Sequence, residues 1–241
     1  MKIELDEKQL ATADYKANES FKALRTNIMF CGDDVKVISL TSATPNEGKS
    51  SVSLNLAVSL AELGKKVICI DADLRKSVIR QKHKIKGATE GFSHFLSGIK
   101  KFEDVVYSTN IPNLYMVLAG PVPPNPAELL ASKYFKVLID NLREVYDYVI
   151  IDTPPMGSVT DAAIVAKEVD GTILVIAAND VSYKFEQRVI EDLKKSDCRI
   201  LGAVLNKVDM STNKYYGKYY GKYYGSYGSY GDYGHEKEQR R

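Results

Sequence analysis

The chain has 241 residues, 44% of them hydrophobic and 27% charged, with a formal net charge of +2. That length and balance suit one large domain or two small ones and exclude a fibrous or wholly disordered protein. Residues 211–241 hold six Lys/Arg and three Asp/Glu, so the tail is basic and the body almost neutral, which argues against a dedicated nucleic-acid binder.

A helical pattern over 12–30, stopped by Cys31-Gly32-Asp33-Asp34, reads as an N-terminal helical arm covering 1–34. Short Val- and Ile-rich runs then recur at 35–40, 66–70, 114–118, 148–151, 172–177 and 199–205. Segments of helical spacing separate most of them, at 51–63, 126–144, 161–167 and 185–195. Strands that are apolar on both faces need cover on both sides. The alternation therefore predicts an α/β fold over 35–210, a mostly parallel sheet flanked by helices.

From 211 to 241 the chain becomes low in complexity, with Lys214-Tyr215-Tyr216-Gly217 repeated through Gly225 and simpler Tyr-Gly steps after it. Nine of the sixteen tyrosines lie there: Tyr215, Tyr216, Tyr219, Tyr220, Tyr223, Tyr224, Tyr227, Tyr230 and Tyr233. Frequent glycine and no aliphatic partner leave nothing to build a core, so the tract reads as a disordered tail.

Cys31, Cys69 and Cys198 are odd in number and widely spaced, and His83, His94 and His235 stand alone. Neither a disulfide framework nor a metal site is expected of them. Residues 1–10 lack a basic and then apolar leader, and no run approaches membrane-spanning length. The expected location is the cytoplasm, peripheral to the membrane through a partner.

Chemistry concentrates at three strand ends. Ala43-Thr44-Pro45-Asn46-Glu47-Gly48-Lys49-Ser50 follows the first strand and opens a helix, the context a phosphate-binding loop requires. Backbone N–H groups there can cradle phosphate oxygens, Lys49 can neutralise the β and γ groups, and Ser50 can hold Mg²⁺. Ala43 stands where the usual pattern has glycine. Ile70-Asp71-Ala72-Asp73 and Ile150-Ile151-Asp152-Thr153-Pro154-Pro155 place three carboxylates after two further strands. In a doubly wound sheet these groups converge at the carboxyl edge. The nucleotide-binding set is thus Thr44 to Ser51 together with Asn206. Asn206-Lys207-Val208-Asp209 fits a guanine-recognition pattern but could equally border adenine.

Together these segments resemble the bacterial tyrosine kinases, or BY-kinases, of capsule and exopolysaccharide synthesis, in particular the separate cytoplasmic kinases of Gram-positive bacteria. The resemblance spans 19–233. It rests on the Walker A loop ending Gly48-Lys49-Ser50, the A′ motif Ile70-Asp71-Ala72-Asp73-Leu74-Arg75, the Walker B motif at 150–155, the segment 120–130 and the tyrosine cluster. It implies ATP as donor and tyrosine hydroxyl as acceptor, with autophosphorylation in trans within a ring. It implies that Lys49 stabilises the transferring phosphate, that Ser50, Asp73 and Asp152 organise Mg²⁺, and that Asp71 accepts the hydroxyl proton. Glu19-x-x-Lys22-x-x-Arg25 resembles the family's oligomerisation motif, with Lys where that motif has Arg. The implied partners are a membrane-embedded activator, further copies of the chain and a phosphotyrosine phosphatase; nucleic acid is not among them. A partitioning or septum-positioning ATPase would share the fold but carries a signature Lys where this chain has Thr44. The same residues also leave room for a GTPase switch, or for a nucleotide-binding scaffold with an adhesive tail.

Overall fold

The computed structural model describes residues 2–209; the tail and its nine tyrosines lie outside the described residues. Two short 3-10 turns, Glu7–Gln9 and Ala11–Ala13, lead into α1 (Tyr15–Met29). There follow β1 (Val37–Ser42), α2 (Lys49–Glu62), β2 (Val67–Asp71), α3 (Ile79–Lys82), α4 (Phe92–Leu96), α5 (Phe102–Val105), β3 (Val106–Ser108) and β4 (Leu114–Val117). The chain continues through α6 (Pro126–Leu130), α7 (Lys133–Val145), β5 (Tyr148–Asp152), α8 (Asp161–Ala166), β6 (Gly171–Ala177), α9 (Tyr183–Lys195) and β7 (Ile200–Asn206).

The seven strands form one sheet in the order β3-β4-β2-β5-β1-β6-β7. All neighbours are parallel except the edge pair β3 and β4. Alternation along each central strand feeds two cores. Ile38, Val67, Cys69 and Ile150 point into one shared with α2, while Val37, Ile68, Ile70, Val149 and Ile151 point into the other, shared with α7. Buried on both faces, these strands carry apolar residues at nearly every position, which is why they read as continuous runs. The α/β expectation thus holds, with a P-loop topology.

Two local expectations differ from the structure. The helix expected over 126–144 is two helices, because Ser132 adopts an extended conformation and starts α7 afresh. Strand β3 had no signal: three residues at an antiparallel edge carry too short a pattern to show periodicity.

The segment before β1 packs on the body and shares its compact unit, which runs to Asn206. Ile3, Leu5, Leu10 and Ile28 are buried in the same core as Leu54 and Leu56 of α2. The Ile3 N–H donates to the Ser108 carbonyl at 2.9 Å, and the Ala11 N–H donates to Asn55 Oδ1 at 2.6 Å. Helix α2 is consequently covered on both sides and almost wholly buried.

Candidate functional site

Parallel register brings the carboxyl ends of β1, β2 and β5 together, pairing Leu40 with Asp152 and Asp71 with Asp152. The loop after β1 turns back into α2 through two residues of positive φ, Asn46 at 69° and Gly48 at 93°. At the start of α2, Lys49 reaches the carboxylates. Its Nζ lies 3.0 Å from Asp73 Oδ2 and 3.9 Å from Asp152 Oδ1, and it donates to Ser50 Oγ at 3.4 Å. Ser53, one turn on, donates to Asp152 Oδ1 at 3.3 Å. Asp71 accepts from the Asp73 N–H at 3.2 Å and from the Ser77 hydroxyl.

Four ionisable groups are therefore buried in one place. Burial pulls the Lys49 ammonium down, but Asp152, Asp73 and Asp71 outweigh it and hold the group above the usual lysine value. Burial raises Asp152, opposed chiefly by Lys49. Burial and then Asp152 push Asp71 up to about 8. Such a cluster is costly to fold and marks a candidate working site.

The other residues expected at the site divide into those facing it and those bracing it. Pro45 and Asn46 are exposed at the loop's crest. Glu47 is fully buried: its Oε1 accepts from the Thr44 N–H at 2.5 Å and the Thr44 hydroxyl at 3.1 Å, and its Oε2 accepts from the Ala177 N–H at 3.0 Å. That carboxylate ties the loop to β6. Asn206 donates through Nδ2 to the Glu47 carbonyl at 2.9 Å, so the end of β7 clamps the same loop. Ser51 accepts at Oγ from Lys82 at 2.5 Å. On α1, Lys22 pairs with Glu19 at 2.7 Å, and Arg25 donates to the Ser59 carbonyl of α2 at 2.7 Å. Within one protomer, Glu19 and Lys22 thus engage each other and Arg25 anchors its helix.

Two interactions near the site carried no sequence signal. Arg75 of the A′ motif makes a bidentate pair with the buried Asp161 at the start of α8, at 2.8 and 2.9 Å. The two are 86 residues apart. Arg75→Met is expected to cost about 2 kcal/mol by stranding a buried carboxylate, discounted because the arginine is partly exposed; urea denaturation measures it, and an unchanged midpoint contradicts it.

Glu186, in the first turn of α9, is 5% exposed, and neither side-chain oxygen has a hydrogen-bond partner among the described residues. Burial, then repulsion from Glu47, pushes its carboxyl up to about 7 from an ordinary value of 4.5. The folded chain therefore holds a proton that the unfolded chain has lost between these values, and stability falls as pH rises across that window. Glu186→Gln is expected to remove this slope and to exceed the wild type by about 1–3 kcal/mol near pH 8. Urea titrations at about pH 5 and pH 8 that give parallel wild-type and variant values exclude the effect.

A family model described as an AAA domain matches residues 35–199. Tyrosine-protein kinase CpsD of Streptococcus agalactiae is 39% identical over 240 residues, covering 100% of this chain and 99% of the relative. The chain belongs to the bacterial tyrosine-kinase family. Among solved structures, the kinase domain of Escherichia coli tyrosine kinase ETK matches this kinase with a TM-score of 0.79 and 33% identity, over 85% of this chain and 80% of that one. The septum site-determining protein MinD of Pyrococcus horikoshii OT3, complexed with Mg-ADP, is more distant, with a TM-score of 0.63 and 28% identity over 74% and 72% of the two chains. The tyrosine-kinase reading thus stands ahead of the partitioning ATPase. No helix among the described residues of this kinase is long and apolar enough to cross a membrane.

Proposed function

We propose that this tyrosine kinase takes ATP and Mg²⁺ at the carboxyl edge of β1, β2 and β5 and phosphorylates the tail tyrosines, 215–233, of a neighbouring copy, so regulating capsule or exopolysaccharide synthesis. The observation that carries this reading is one buried ammonium, Lys49, set against Asp73 and Asp152 where the loop opens α2. An ammonium held above its usual value stays charged at any physiological pH, ready to face phosphate oxygens.

No group of three or more His, Cys, Asp or Glu among the described residues is placed to hold a metal by itself. The donors present still suit Mg²⁺, which takes hard oxygens and fills its shell largely with water and substrate phosphate. Ser50, Asp73 and Asp152 would hold it, and bound there it would neutralise charge on the β and γ phosphates. Lys49 orients the γ-phosphoryl and stabilises its developing charge. The tyrosine oxygen bonds to the γ-phosphorus as the bond to the β–γ bridging oxygen breaks. Asp71, fixed by Ser77 and the Asp73 N–H, positions the hydroxyl and, in its ionised form, takes the proton late. Most of the acceleration comes from alignment and charge stabilisation.

A membrane-embedded activator, a ring of copies built partly through Glu19, Lys22 and Arg25, and an opposing phosphotyrosine phosphatase complete the proposal. Incubating the full chain with labelled ATP or GTP, with and without an activator fragment, and mapping phosphotyrosine by mass spectrometry tests it. ATP-dependent label on the tail supports the reading; nucleotide turnover that leaves every tail tyrosine unmodified rejects it.

A further inference from the structure

Beyond Asp73 the chain carries charge of a single sign that the reaction above does not use. Residues 74–89 contain Arg75, Lys76, Arg80, Lys82, Lys84 and Lys86, and no Asp or Glu. All six are exposed, while Ile79, His83 and Ile85 between them are buried. The cations are therefore the outer side of an anchored segment. Arg75 is committed to Asp161. Among the described residues, no carboxylate lies within ion-pair distance of the other five.

The segment borders the place of phosphoryl transfer at two points. Near its start, the Lys76 N–H donates to Asp73 Oδ1 at 3.0 Å. Farther along, Lys82 donates to the hydroxyl of Ser51, in the first turn of α2. Glu4 and Asp6 line the cleft beside Lys84 and Lys86 but pair with neither among the described residues, and cations in this excess beside a site that makes phosphate esters call for an anionic occupant. The nearest chemistry that supplies one is the product.

We propose that this basic segment binds phosphotyrosine in another copy's tail, holding a tail already modified beside the site while its next tyrosine enters. The proposal rests on the tail being the substrate. Before modification a tail has six basic and three acidic residues, and the segment repels it. Each phosphate adds about −1.5 to −2 charges, so two phosphates cancel the tail's excess of three positive charges and a third makes the tail acidic. The Lys-Tyr-Tyr-Gly repeat spaces tyrosine pairs by roughly 13 Å in extended chain. One pair can then sit on the segment while the next reaches the site. Retention of this kind raises local concentration and makes successive modification processive.

The test uses the full chain, dephosphorylated and free of nucleotide, with a synthetic peptide of residues 213–225 in two forms, unmodified and phosphorylated at Tyr219 and Tyr220. The wild type is expected to bind the phosphorylated form at least about tenfold more tightly, an advantage that shrinks as salt rises. Lys84→Glu/Lys86→Glu is expected to lose that preference, and Lys84→Arg/Lys86→Arg to keep it. Given ATP, the wild type should show heavily modified tails beside unmodified ones, and the charge-reversed double variant an even ladder of intermediates. Equal binding of the two peptides overturns the proposal. So does an unaltered preference in the reversed variant, or displacement of the phosphopeptide by phosphatidylglycerol vesicles but not phosphatidylcholine vesicles, which would assign the segment to a lipid surface. A wild type that never modifies its tail would reject the parent reading through the mass spectrum, while the peptide binding still decides this one.

Discussion

Lys49→Met is expected to lower phosphotyrosine formation by about three orders of magnitude or more, because removal of a single preorganised donor from a developing oxyanion already costs about 10²–10³. Lys49 does more than donate. It is the cation that balances Asp71, Asp73 and Asp152 in a buried cluster. Without it the cluster keeps its carboxyl groups and loses its one cation, so alignment and charge stabilisation fail together. Lys49→Arg is expected to be nearly as poor, since a planar fork cannot occupy the point position from which an ammonium reaches Asp73 at 3.0 Å and Asp152 at 3.9 Å. Near neutral pH the Met variant is also expected to lose about 3 kcal/mol of stability, the usual scale for breaking a buried pair. Initial rates at saturating ATP, read as phosphotyrosine, decide the first point and urea denaturation the second. A Met variant retaining a tenth of wild-type activity would displace Lys49 from the proposed role.

The elements that position this cluster were legible because each is a buried strand followed by an abrupt change of character. Ile70-Asp71 and Ile151-Asp152 end apolar runs in carboxylates, and because the sheet makes β2 and β5 neighbours, parallel register puts the two side by side. The apolar side of Lys49–Glu62 was equally plain, although the helix is buried all round, and its polar Asn55 and Ser59 serve as partners for the N-terminal segment. What stayed hidden depends on contacts between distant parts of the chain. Glu47 reads as a loop residue among phosphate-binding neighbours, and only the arrival of β6 turns its carboxylate into a brace for Ala177. Asp161 reads as a helix start, and its pairing with Arg75 needs two crossovers of the sheet. Glu186 is more hidden still, since a carboxylate in the first turn of a helix ordinarily faces water. The burial of Ile3 and Leu5 is likewise invisible in a segment whose neighbours are charged.

Gly48→Ala is expected to weaken ATP binding by about two orders of magnitude, and two separable causes contribute. The first is conformational. At φ 93° the residue lies in the left-handed region, where a Cβ costs roughly 1–2 kcal/mol. The second is steric: a Cβ built there falls inside the amide of Asn206. That amide is the one donating to the Glu47 carbonyl at 2.9 Å, so it cannot swing aside without releasing the loop. Asn206→Ala alone removes the clamp but keeps the glycine and is expected to weaken binding only about fivefold, the value of one ordinary hydrogen bond. The double variant removes the clash while leaving the backbone strain, so it should bind better than Gly48→Ala yet worse than Asn206→Ala. Calorimetric titration of ATP into the three proteins gives the ordering. If the double variant matched Gly48→Ala, the amide contact would carry no weight and strain alone would account for the loss. If Gly48→Ala bound like the wild type, the loop's left-handed turn would not be what shapes the phosphate cradle.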